Sequence, residues 1–215
     1  MGGRCSARCF VFRSAAAMKF LCFVLSLGFV PCCLPAIAQV AAKSEPPWRT
    51  FVSRADSFRF EYPSSLTMCG KGTRKETCLT YIPICDETAL ACVAHSAARY
   101  QGYNFEGAAF SVNKHPDADT NGKCLGSTKL PAQTELIHGV EFQTGHQSSA
   151  GMGHGLSEYS YTTFHGGQCY ELDIRIATSS LGGDAPGTIK EFTEQDEQRE
   201  QTFLRKALST FRFLK

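Results

Sequence analysis

The chain lacks most of the short signatures that would assign it a chemistry. It has no C-x-x-C pair, so the close thiolate spacing of a structural zinc site is missing. It has no H-E-x-x-H, the pattern that sets two histidines on one helical face of a metalloprotease. No serine sits in G-x-S-x-G. Ser149 has Gly151 after it but Gln147 before it, which excludes the nucleophile elbow of an α/β-hydrolase. "GKGTRKE", starting at Gly70, departs from G-x-x-x-x-G-K-[ST], and its Lys71, Arg74 and Lys75 read as a solvated polar loop. There is no N-x-[ST] acceptor, no internal repeat and no low-complexity tract. Charge of one sign is also missing: 22 Lys and Arg face 20 Asp and Glu.

A long apolar run is absent as well. The stretch Phe20–Val30 falls well short of the roughly 20 residues that span a bilayer. It follows Met18 and Lys19 and precedes Pro31, Pro35 and "AIAQ". A basic start, a short apolar centre and small residues before the cut predict a secretory signal over 1–38, with Met18 as working start and cleavage after Ala38. Residues 1–17 are then either a longer basic region or an unused upstream start. The signal holds Arg4, Arg8, Arg13 and Lys19, so 18 basic residues remain against 20 acidic, a formal charge of −2. A chain of that balance lacks the clustered basic face of a nucleic-acid protein. Neither nucleic acid nor a membrane span is expected of the mature protein, which belongs in the periplasm or outside the cell.

Cysteine is where the chain is rich. Five of the 11 cysteines lie in the signal, leaving Cys69, Cys78, Cys85, Cys92, Cys124 and Cys169. An even number in an exported chain reads as disulfides. Six thiols allow 15 pairings. The expected ones are Cys85–Cys92, closing a short loop, and Cys124–Cys169, tying distant segments.

Patterning gives one α+β domain over 48–215 after a leader at 39–47. Phe58, Phe60 and Tyr62 alternate with Arg59 and Glu61, the period of a half-buried strand that Pro63 stops. "TFVS", "TCLTYIP" and "FEGAAFSVN" read as further strands, and "ALACVAH" as strand or short helix. "HPDADTNG" reads as a turn cluster that opens a short helix through Cys124. "ELIHGVEFQT" forms a hairpin around His138–Gly139, and "LSEYSYTTF" with "CYELDIRIAT" forms another around "HGGQ". "PGTIKEFTEQDEQREQTFLRKALS" is the strongest helix, with acids early, Arg205 and Lys206 late, and a stripe of Phe203, Leu204, Ala207 and Leu208. "TFRFL" closes the chain as a strand. The sum is an antiparallel sheet with helices packed on it.

The opening "DSFRFEYPSSL" and the closing "LRKALSTFRFL" resemble the ends of PsbP-like and Mog-type domains. The resemblance implies an antiparallel sheet sandwiched by helices over 48–215. The six cysteines and "FHGGQCYEL" fall outside the general family pattern and suggest an exported bacterial branch. Known members bind large partners, such as photosystem components or a nuclear-transport GTPase. No partner-binding residue of theirs matches a position here, so no partner carries over.

The stretch most like a site is "GHQSSAGMGHG", Gly145–Gly155. Its His146 and His154, with His165 beyond, are the candidate metal ligands, since neutral imidazole binds zinc or copper. Against that, four glycines make ordering costly, and the stretch reads first as a surface connection between strands. His95, His115 and Asp173 are the available partners for a catalytic triad, without a spacing that selects them. Glu158, Glu171 and Asp173 read as outward strand positions, and Tyr159, Tyr161 and Tyr170 as core or sheet-surface residues. The expectation is a non-catalytic binding or structural domain without a cofactor, facing a protein or an envelope component. The alternative is a small metal-dependent or hydrolytic enzyme built around His146, His154 and His165.

Overall fold

The computed structural model describes residues 46–70, 78, 80–126, 133–183 and 187–215. The expected signal, most of the leader and the Lys71–Arg74–Lys75 loop lie outside the described residues. Ten strands and two helices are described: β1 (Trp48–Ser53), β2 (Phe58–Pro63), β3 (Thr67–Cys69), β4 (Ala91–Ser96), β5 (Phe105–His115), α1 (Asn121–Leu125), β6 (Gln133–Ile137), β7 (Val140–Gly151), β8 (His154–His165), β9 (Gln168–Ser179), α2 (Glu194–Leu208) and β10 (Arg212–Phe213). They form a three-stranded sheet, β1-β2-β10, and a seven-stranded sheet, β3-β4-β5-β9-β8-β7-β6. Every strand pair in both is antiparallel. The fold is α+β and disulfide-braced.

One face of the large sheet carries the main core. Phe110 and Val112 from β5, Leu172, Ile174 and Ile176 from β9, and Tyr161 from β8 meet Leu204, Ala207 and Leu208 of α2 and Phe58 and Phe60 of β2. Five phenylalanines there (Phe58, Phe60, Phe110, Phe142 and Phe211) are fully enclosed. Burying each such side chain stabilises the fold by about 1.5–3 kcal/mol. A bulge between Phe105 and Gly107 turns Phe105 onto this face, against Phe192 and Tyr100.

α2 begins later than the sequence pattern suggests. Thr193 caps it, accepting from the Asp196 amide while Asp196 accepts from the Thr193 amide. That reciprocal box satisfies two amide donors of the first turn and outcompetes a start nearer Gly187. The stripe runs through Asp196, Glu200, Leu204 and Ala207–Leu208, with Phe203 half-buried beside it.

The opposite face is covered partly by residues 80–90. "TCLTYIP" is not a strand: among its described residues the chain bends at Tyr81–Ile82, between the covalent links Cys69–Cys78 and Cys85–Cys92. Gly107 lies close beneath it: a Cβ there would stand 2.8 Å from Thr80 Cγ2, 2.9 Å from Ile84 Cδ1 and 3.2 Å from the His95 carbonyl oxygen, so its neighbours would have to shift. Cys124–Cys169 fastens α1 to β9. "ALACVAH" resolves as strand β4.

The glycine-rich stretch is not a connection either. Gly145–Gly151 continues β7 and His154–Gly155 starts β8, so only Met152–Gly153 turns. Both turn residues have positive φ, 53° and 82°. That is the two-residue turn whose twist matches a hairpin. Ladder hydrogen bonds order glycines that would otherwise be mobile.

Candidate functional site

The three candidate histidines do not converge. His154 and His165 stand at opposite ends of β8, eleven steps of about 3.3 Å apart along the strand. His146 pairs with Tyr159 in its middle. Alternation puts His146 and His165 on the α2 face and His154 on the other. Each ring has its own partner: His146 stacks on Tyr159 at 4.3 Å and His165 on Phe213 at 3.9 Å, while His154 stacks on Tyr81 and bonds Glu106 at 2.8 Å. One metal shell of ~2 Å bonds cannot take all three. His95, His115 and Asp173 are likewise split, since His95 faces α2 and the other two lie on the reverse face.

The arrangement does gather residues around His146. It lines a groove of about 410 Å³ with Gln133, Glu135, Thr144, Tyr159, Tyr161 and Arg205. Arg205 donates to both Glu135 oxygens at 2.7 and 2.8 Å and lies over the Tyr161 ring at 5.9 Å. Tyr159 donates to Glu197 at 2.8 Å. Burial first, then that hydrogen bond and the Glu197 charge, push its phenol far above the ordinary value, so it stays a neutral donor. Beside the groove, the Ser148 hydroxyl stands 3.5 Å from His146 Nε2, a long and exposed contact.

A second constellation lies on the reverse face, where β5, β9 and β8 align three rows of side chains: Asn113–Glu171–Thr162, Ser111–Asp173–Ser160 and Ala109–Arg175–Glu158. Asp173 is fully enclosed, with Thr162 and Asn113 nearly so. One oxygen each of Glu158, Glu171 and Asp173 lies within 4.8 Å of the others. Asn113 Nδ2 donates to Asp173 Oδ2 at 2.6 Å, and Arg175 donates to Glu158 at 3.0 Å while standing 3.8 Å from Asp173. Burial and then the Glu171 charge raise the Asp173 carboxyl to about 8, against the opposing pull of Arg175. Asp173 Oδ1, Asn113 Oδ1 and Thr162 Oγ1 are buried with no hydrogen-bond partner. These residues are on the outward face, as period two requires, but that face is not wet at its centre. The sequence signal was the pair of acids two apart on β9, Glu171 and Asp173. What hid the site is the cover over it, which alternation cannot show.

Glu200, an acid on the helical stripe, is a third feature that patterning missed. It is fully enclosed, and its carboxylate accepts from His95 Nδ1 (2.7 Å), Arg99 Nε (2.7 Å) and Tyr100 (3.0 Å). Burial works to raise its carboxyl, but the His95 bond and charge and the Arg99 charge outweigh it and hold it below the ordinary value. This is a packed ionic staple between α2 and the sheet rather than a reactive group.

Among the described residues, no helix is long and apolar enough to cross a membrane. No protein-family model matches the chain, and no curated protein matches it. Among solved structures, the chain is similar to a crystal structure from Bacteroides thetaiotaomicron VPI-5482, with 13% identity and a TM-score of 0.42. That match covers 77% of this chain and 48% of the other, so the chain spans about half its length. It is also similar to the solution structure of cyanobacterial PsbP (CyanoP) from Synechocystis sp. PCC 6803, with 9% identity and a TM-score of 0.34 over 82% of this chain and 98% of that one. Both scores are too low to carry an inference about activity or partner.

Proposed function

We propose that the protein is an exported, non-catalytic binding domain that takes a polypeptide segment of a secreted or envelope protein into the groove between β6–β8 and α2. Export is supported by three disulfides, which persist in oxidising compartments, and by the signal-like segment after Met18. The observation that carries the binding role is the convergence of Tyr159, Tyr161, His146 and Arg205 in one open groove. Tyrosine and arginine dominate the energetic centres of protein interfaces, because they offer large rigid area with a polar handle. The Glu135–Arg205 pair at the rim supplies both signs of charge to fix the orientation of an incoming chain.

A photoreactive residue at exposed Gln133 tests this in the native host. A defined protein adduct is expected, and Arg205→Ala or His146→Ala should lower its yield about tenfold, the effect of losing a moderate hot spot. Asp119→Asn, on the other face, should leave the yield unchanged. An adduct that is indifferent to Arg205→Ala and His146→Ala, or no protein adduct at all, would overturn the reading.

A further inference from the structure

We propose that the oxygen cluster on the sheet face opposite α2 is a calcium site, formed by Glu158, Glu171 and Asp173 with the Asn113 carbonyl and the Thr162 hydroxyl. Acids clustered on a surface would say little, but here two observations stand beside them. The first is that the Asn113 and Thr162 oxygens are buried and unpartnered. Asn113 lies against the cluster, its amide nitrogen bonding Asp173, and Oδ1 is the other branch of the same amide. Thr162 stands beside Glu171 in register. Buried acceptors without a donor are rare, and a cation satisfies several at once. The second is charge: once Asp173 yields its proton to a bound cation, three carboxylates outweigh the single Arg175 guanidinium, on which Asp86 also acts. Arg175 also holds Glu158 in place without occupying Asp173 at bonding distance.

The donor set selects the metal class. Carboxylate, amide carbonyl and hydroxyl oxygens are hard ligands that suit calcium, which accepts six to eight oxygens in irregular geometry. Zinc and copper favour nitrogen and sulfur; the nearest imidazole, His115, is 3.4 Å from a Glu171 oxygen, placed to orient that carboxylate. Magnesium demands near-octahedral geometry and keeps its waters. A cleft of about 400 Å³, lined by His115, Asp117, Lys123, Thr162 and Glu171, reaches the Thr162–Glu171 edge of the cluster. Rigidity comes from disulfides on either side: Cys92 faces Ser111 in register, and Cys169 lies two residues before Glu171.

The test strips the disulfide-intact protein with chelator and titrates it with calcium chloride, following heat of binding and Tm. One ion per chain is expected, with Kd on the order of 10⁻⁴–10⁻³ M as in other extracellular modules, and a saturable rise in Tm. Asp173→Asn should abolish the response with the circular dichroism of the fold intact, and Thr162→Val should weaken it roughly tenfold. If Asp173→Asn does not fold, the more exposed Glu171→Gln carries the same expected loss. Glu194→Gln, exposed on the first turn of α2, should retain the full response. No stoichiometric ion at saturating calcium, an equal response in the carboxylate variants, or stoichiometric zinc outcompeting calcium would each overturn the proposal.

Discussion

The two faces of the seven-stranded sheet each bury an acid, and they treat it in opposite ways. On the α2 face, Glu200 meets an imidazole, a guanidinium and a phenol, both of its oxygens are bonded, and its carboxyl is held below the ordinary value. On the reverse face, Asp173 receives one short bond from Asn113, keeps one oxygen unpartnered and has its carboxyl raised. A buried charge is tolerated when it is paired and hydrogen-bonded, and is costly otherwise. Glu200 is therefore explained by the fold alone. Asp173 needs something more, and that difference separates a structural acid from a ligand-binding one.

The faces should also differ in what holds them, which sets the largest expected effect. The reverse face relies on covalent links. Replacing Cys124 and Cys169 with serine, a link spanning 45 residues, should cost about 4 kcal/mol, against about 2 kcal/mol for Cys85–Cys92, which spans 7. Denaturant unfolding of both double variants checks the order. Equal losses would show that loop length is not what these bonds contribute. Next comes Glu200→Gln, which leaves Arg99 and His95 without their carboxylate and should cost about 3 kcal/mol; a loss below about 1 kcal/mol would mean that the staple is not energetically distinct from a surface pair.

The pH dependence of stability sharpens the contrast, because the two acids give opposite slopes in the cation-free protein. Glu200 is depressed when folded, so its contribution is present above the unfolded value of 4.5 and is lost as pH falls through the folded one. Asp173 is raised from 3.8 to about 8, so the folded state holds the extra proton in that window and stability declines as pH rises across it. Glu200→Gln should flatten the limb below pH 4.5, and Asp173→Asn the decline between pH 3.8 and about 8, in urea titrations. The smallest effect concerns the hairpin that extends from both faces. Met152, exposed at φ 53°, is strained where Asn is not, so Met152→Asn should add up to about 1 kcal/mol. An unchanged or lowered Tm would count against that turn.

Much of the fold was legible because period-two alternation survives in the strands that matter. Phe58, Phe60 and Tyr62, the hairpins at His138–Gly139 and Gly166–Gly167, and the Leu204–Leu208 stripe all stand where local pattern puts them. The two expected disulfides, Cys85–Cys92 and Cys124–Cys169, are formed, beside Cys69–Cys78. The misses share a cause, which is tertiary contact that local pattern does not encode. "TCLTYIP" alternates like a strand but is diverted by its cysteine links, and the glycines of Gly145–Gly155 are ordered by their cross-strand partners. His146, His154 and His165 looked clustered because sequence distance hides the length of an extended strand. Asp173 is an outward strand position by alternation, and nothing local reveals that its side chain is fully enclosed.

Carboxyl-carbon NMR of the chelator-treated protein, titrated through the pH range, tests the central contrast most directly. Asp173 is expected to titrate far above the ordinary carboxylate range, near 8, and Glu200 below 4.5. Asp173 titrating alongside the surface acids would contradict that contrast, since the reverse face would then supply its carboxylate as fully as the α2 face supplies Glu200.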